Sequence, residues 1–182
     1  TLDGQPPPDA ILSRLLAALA HRGPDGEGRH VAGDVGIVQN RLAIIDLATG
    51  DQPLHEPGGA ALAANGEIYN YIELRAALDG TRFATGSDCE PPLHLYRRHG
   101  LDFAGHLRGM YAIAIHDPQA RRLVLARDPF GIKPLYYAET PRGFAFASEP
   151  QALVAAGLVE AELDPAVRAE LLQLQFSTGT QT

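Results

Sequence analysis

The chain has 182 residues, 45% of them apolar and 20% charged, the proportions of an ordinary globular domain rather than of a disordered tail. Its formal net charge of −7 opposes a phosphate backbone and argues against nucleic acid as a partner. No run approaches the roughly 18 apolar residues of a membrane-spanning helix, so a membrane partner is not expected either.

The first residues, Thr1-Leu2-Asp3-Gly4, lack the basic patch and apolar core of a secretory signal, and the missing initiator Met suggests a processed or cut chain. After Pro6-Pro7-Pro8, helical spacing of Ile11, Leu12, Leu15, Leu16 and Leu19 predicts a helix over Ala10–Ala20, with Asp9 as its N-cap and Gly23-Pro24 as its stop. Dense β-branched residues predict a strand from Val35 to Leu47. Ala60–Ala64 is a short apolar run ending in Asn65-Gly66, a dipeptide that predicts a tight bend between strands. Helices are expected over Tyr69–Leu78 and Pro92–His99, the second with Asp88 near its N-cap and Gly100 at its end. Four short strands follow: Met110–His116, Arg122–Ala126, Leu135–Ala138 and Gly143–Ala147. Within the first, Met110–Ile115 is apolar throughout, as in a strand covered on both faces. Two modest helices are expected after Glu149, and Phe176–Thr182 shows no closing element. Helices among hairpin-linked strands give an α+β domain.

Three segments could carry chemistry. Asn65-Gly66 offers a side-chain amide and a backbone N–H to a developing oxyanion, or is only a hairpin turn. Arg41, alone in an apolar strand-like stretch, could grip a carboxylate bidentately. Pattern alone favours a structural ion pair, with Asp46 as its candidate partner. Asp88 could accept from a substrate ammonium or cap a helix. The seven His are scattered without metal-ligand spacing, so no metal site is expected. The single cysteine, Cys89, allows no internal disulfide, and a cytoplasmic setting follows as the default.

Taken in order, His21–Asp25, Arg41–Asp46, Gln52-Pro53-Leu54, Asn65–Tyr71, Thr85–Glu90, Gly109–Ala112 and Arg127–Tyr137 resemble the class II glutamine amidotransferase domain of asparagine synthetases. The resemblance implies a four-layer αββα N-terminal-nucleophile hydrolase sandwich, two antiparallel sheets flanked by helices. It implies hydrolysis of glutamine to glutamate and ammonia, with the ammonia passed to an ATP- and Mg-using domain that amidates aspartate. Carried onto this chain, Arg41 holds the glutamine α-carboxylate, Asp88 its α-amino group with help from Glu67, and Asn65 with Gly66 forms the oxyanion hole. Backbone near Leu42 and Ile44 lines the pocket. The domain itself needs no cofactor, and a homodimer is compatible with the family.

Two departures matter. The family's nucleophile, a cysteine at the mature N-terminus, does not stand in this chain, and Thr1 falls roughly where the cysteine's strand would end. Thr1 as a substitute nucleophile is set aside because Leu2-Asp3-Gly4 and three prolines do not resemble that strand. Cys89 is a neighbour of Asp88, not a replacement. The synthetase domain is also absent. Residues 1–160 are therefore expected to be a glutaminase domain without its first strand, inactive alone, and 161–182 the start of a connection onward. The competing readings are a cysteine-less scaffold domain and an amidotransferase acting on another carboxylate.

Overall fold

The inner layers of the fold follow from one strand with no polar face. The computed structural model describes residues 1, 3–162 and 164–176. Eight strands are β1 (Gly26–Ala32), β2 (Val35–Arg41), β3 (Leu54–His55), β4 (Ala61–Ile68), β5 (Gly109–Asp117), β6 (Arg122–Arg127), β7 (Tyr136–Thr140) and β8 (Gly143–Ala147). The α-helices among the described residues are α1 (Asp9–Leu19), α2 (Tyr71–Ala77), α3 (Pro91–His99), α4 (Pro150–Ala155) and α5 (Pro165–Leu174). The central sheet is antiparallel in the order β3-β4-β5-β6, and β1–β2 and β7–β8 are separate hairpins.

Alternation on β5 explains the layering. Tyr111, Ile113 and Ile115 point to one face, where they pack with Leu62 and Ile68 of β4 and with Leu74, Leu93, Leu95 and Tyr96 of α2 and α3. Ala114 points to the other, beside Ala63, Ile37 of β2 and Phe146 of β8. Full burial of a side chain such as Ile113 or Ile115 stabilises the fold by about 1.5–3 kcal/mol. Small alanines between the β layers let the two hairpins sit close on the sheet. Beyond the hairpins, α1 and α4 bury Leu15, Ala18, Leu19, Ala152 and Leu153 against Ala145 and Ala147. The result is α-β-β-α.

Several boundaries differ from the sequence expectation. Asp9 is the first helical residue rather than the cap, which falls on Pro8; its carboxylate pairs with Arg29 across to β1. β2 ends at Arg41, and residues 42–47 leave the ladder because the chain turns at Asp46, whose φ of 54° no strand tolerates. Asp88 does not cap α3; Glu90 stands at that position. Pro91 and Pro92 occupy the first turn, where no N–H is required, and Gly100 with φ 60° ends the helix as expected. Of the expected unstructured stretch Phe176–Thr182, all beyond Phe176 lies outside the described residues.

A cluster of histidines joins the layers. His30 on β1 lies 2.9 Å from His116 on β5, Nε2 to Nδ1, and its ring sits 5.3 Å from that of His55 on β3. Burial lowers the pKa of both His30 and His116 below 6.5; the neighbouring rings lower His30 further, while Asp34 and Asp117 oppose the shift at His116. Below about pH 6.5 the unfolded chain therefore takes up protons before the folded one, which favours unfolding. The urea midpoint should fall as pH is lowered from 7.5 through that window, and His30→Gln should flatten the dependence. A midpoint as steep in the variant as in the parent would assign the effect elsewhere.

Candidate active site

A cavity of about 1190 Å³ opens between the two hairpins, floored by the inner face of β4 and β5. It is bordered by residues 32–42, which include all of β2, and by 143–148, which include all of β8. Arg41, Leu42, Ile44, Asn65, Gly66, Glu67 and Asp88 all line it. The residues singled out from sequence thus come together, although not in the local geometry expected for them.

Asn65 and Gly66 are not at a bend. They lie inside β4, paired with Ala112 and Tyr111 of β5. The glycine is needed for strand contact: a Cβ there would stand 2.2 Å from the Met110 carbonyl oxygen. Strand pleat puts Ala63, Asn65 and Glu67 on the cavity side. Hydrogen-bond alternation does the rest. Tyr111 bonds toward β6, its carbonyl accepting from Asp128 N–H at 2.8 Å. The Gly66–Tyr111 pair is therefore a non-hydrogen-bonded one, and the N–H groups of Ala64, Gly66 and Ile68 face the open edge of β4. Gln52 Oε1 accepts from Ala64 at 2.6 Å and Asp88 Oδ2 from Ile68 at 2.8 Å. Between them the Gly66 N–H takes no acceptor among the described residues. Asn65 Nδ2 is likewise buried without a partner, as are Gln39 Oε1 and Asn40 Oδ1 on β2. Unpaired polar atoms of this kind are costly in a finished interior, so Asn65 Nδ2 beside the free Gly66 N–H on the cavity lining marks a candidate site for a polar ligand.

Arg41 sits at the end of β2, its side chain only 12% exposed. Nη2 donates to the carbonyls of Asp46 (2.6 Å) and Ile45 (3.4 Å), and Nη1 to Asp51 (2.7 Å). The structural partner is thus Asp51, not the Asp46 carboxylate. Asp51 is 84% exposed, so this ion pair contributes little and can be displaced. Leu42 and Ile44, both largely exposed (57% and 75%), stand at the cavity rim. Asp88 is buried, with only Oδ2 engaged by the backbone.

Cys89 is buried and its thiol is pushed far up, first by burial and then by Asp88, so it forms no useful thiolate. Thr1 lies at the far end of β2, its amino group donating to the Asp34 carbonyl at 2.6 Å. Seven residues of strand, about 20 Å, separate that end from Arg41. Among the described residues no three His, Cys, Asp or Glu side chains are placed to hold a metal ion, and no helix is long and apolar enough to cross a membrane.

A family model described as a glutamine amidotransferase domain matches residues 1–182. The chain belongs to that family. Glutamine-hydrolyzing asparagine synthetase 2 of Bacillus subtilis is 46% identical over 144 residues, covering 79% of this chain and 19% of its own length. Glutamine-hydrolyzing asparagine synthetase 3 of Arabidopsis thaliana is 46% identical over 144 residues, 78% of this chain and 25% of its own. The amidotransferase domain here therefore spans about a fifth to a quarter of these relatives. Among solved structures, the glutamine phosphoribosylpyrophosphate amidotransferase of B. subtilis, in complex with ADP and GMP, superposes with a TM-score of 0.69 at 27% identity, covering 85% of this chain and 42% of that one. The α-β-β-α layering is the N-terminal-nucleophile hydrolase arrangement of such amidotransferases.

Sequence reasoning missed Gln39, Gln52 and the structural part played by Asp46. Gln39 and Gln52 bracket Ala64 through its carbonyl and N–H, a contact that no local pattern announces.

Proposed function

We propose that this domain is the glutaminase of a glutamine-hydrolysing asparagine synthetase, releasing ammonia from glutamine for ATP-dependent amidation of aspartate in a second domain. The observation that carries the reading is the pair of free donors, Asn65 Nδ2 and Gly66 N–H, on the cavity side and open edge of one strand. Both can reach the oxygen of a carboxamide laid against β4, and they take the charge that develops when its carbon is attacked. Arg41 supplies a cation for the α-carboxylate at one end of the cavity, and Asp88 and Glu67 anions for the α-ammonium. The relatives named above as asparagine synthetases are nearer in sequence than the phosphoribosylpyrophosphate amidotransferase structure, which favours the synthetase over other amidotransferases.

The nucleophile, in this reading, is a cysteine upstream of Thr1. The supporting geometry is the slot between β2 and β8, whose facing edges share no ladder. A strand laid there from the Arg41 end toward Thr1 satisfies backbone groups on both sides. It also delivers its first residue beside Asn65. The terminal amine takes the thiol proton as the sulfur attacks the carboxamide carbon, and passes that proton to the nitrogen that departs as ammonia. Water then cleaves the thioester to glutamate and restores the thiol.

The test is the mature N-terminus of the full-length protein. A cysteine roughly seven residues before Thr1, from the length of the slot, is expected, and its replacement by alanine should stop glutamine hydrolysis. A different terminal residue, or turnover that survives the replacement, would make this a scaffold domain instead.

A further inference from the structure

Arg41 and Asp88 reach the cavity from different parts of the chain, and one residue ties them together. Asp46 donates nothing and accepts five times. Its backbone carbonyl accepts from Arg41 Nη2 at 2.6 Å and from Gly50 N–H at 3.1 Å. Its carboxylate accepts from Thr49 N–H at 3.0 Å, from the Thr49 hydroxyl, and from Gly86 N–H at 2.7 Å. Gly86 opens the segment that leads through Ser87 to Asp88. A glycine fits there because a Cβ would press on Asp46 Oδ2 at 3.3 Å. The Thr49 hydroxyl, ahead of the Thr49 and Gly86 N–H groups, holds the Asp46 carboxyl below its ordinary value, so it stays an ionised acceptor.

The backbone at Asp46 is itself out of the ordinary. Its φ of 54° is a left-handed conformation that asparagine and aspartate adopt more readily than other side-chain-bearing residues. A turn of this shape could be built more easily with glycine. What glycine would not supply is the carboxylate that reaches across to Gly86, a contact 40 residues distant in sequence.

We infer that Asp46 is a positioning residue that fixes the distance between the carboxylate clamp at Arg41 and the ammonium site at Asp88, and so sets the pocket's selectivity for a free α-amino acid. The inference rests on the glutamine reading above. A ligand carrying both a carboxylate and an ammonium on one carbon needs the two protein charges at one spacing. A ligand lacking either group does not feel that spacing. The Asp46 bridge is what the first kind of ligand gains from.

The experiment uses full-length protein and steady-state hydrolysis of glutamine. Asp46→Gly keeps the turn, since glycine accepts the positive φ, and removes only the carboxylate. It should raise KM for glutamine about tenfold or more, the equivalent of losing a charge-assisted hydrogen bond, with kcat changed less than threefold. Asp46→Asn, which retains an acceptor for Gly86 and tolerates the turn, should recover most of the affinity. Arg41→Ala serves as the reference. If Arg41→Ala raises KM and Asp46→Gly does not, the bridge is structural only and the inference falls. If neither variant moves KM, the glutamine pocket itself has been misplaced. A fall in kcat at unchanged KM for Asp46→Gly would also overturn it, because a spacing device acts on binding.

Discussion

Replacing Arg41 with alanine in the full-length protein should lower kcat/KM for glutamine by at least a hundredfold, while synthesis driven by added ammonia continues. With its side chain 12% exposed, the guanidinium is shielded enough that a substrate carboxylate pairs with it strongly. Removing one partner of such a pair typically costs about 3 kcal/mol or more, hence the hundredfold. Arg41→Lys should fail nearly as badly, because one ammonium cannot hold the Asp46 carbonyl and a carboxylate in the planar fork that guanidinium offers. Asp51→Ala is the control: it removes only an exposed ion-pair partner, and KM should move by about twofold or less. In the proposed two-domain scheme, added ammonia does not pass through this site. Loss of both activities in Arg41→Ala would mean that the side chain holds the fold together rather than the substrate.

The sequence makes the chemistry-bearing residues legible and misreads their local setting. Periodicity places α1, α3 and β5 within a residue or two, since each buries a dense apolar stripe against a neighbour. Asn65-Gly66 shows where local rules stop. The dipeptide signals a turn because glycine is usually kept for its dihedral freedom; here it is kept because the Met110 carbonyl approaches too closely for a Cβ. That is a long-range contact, and nothing within ten residues of Gly66 announces it. Arg41 is misread in a similar way: its isolation in an apolar stretch flags it, but its partner is Asp51 across a loop whose course depends on the left-handed turn at Asp46. Asp88 looks like a cap because it precedes a helix, and instead reaches back to the N–H of Ile68, 20 residues earlier. The layering, too, is beyond pattern. The unbroken apolar run Met110–Ile115 shows that β5 is covered on both faces, but not that hairpins cover one and helices the other.

Asn65→Ala should show a combination that few active-site substitutions give: a large loss of rate with no loss of stability. The oxyanion exists only after the carboxamide has been attacked, so its donor contributes to the transition state and not to the bound substrate. One missing donor corresponds to a fall of roughly 10²–10³ in kcat, with KM for glutamine near its original value. Stability follows the opposite course. Asn65 Nδ2 is buried without an acceptor in the folded chain, so the fold already bears the desolvation penalty of that group. Alanine removes the penalty together with the amide, and the midpoint of thermal unfolding should stay level or rise slightly. Asn65→Asp should be worse on both counts, because it exchanges a donor for an anion on the same strand face as Glu67. Turnover and melting temperature measured on the same preparations decide the matter. A variant that melts earlier but turns over normally would show that the Asn65 amide has a bond in the fold and no part in the reaction.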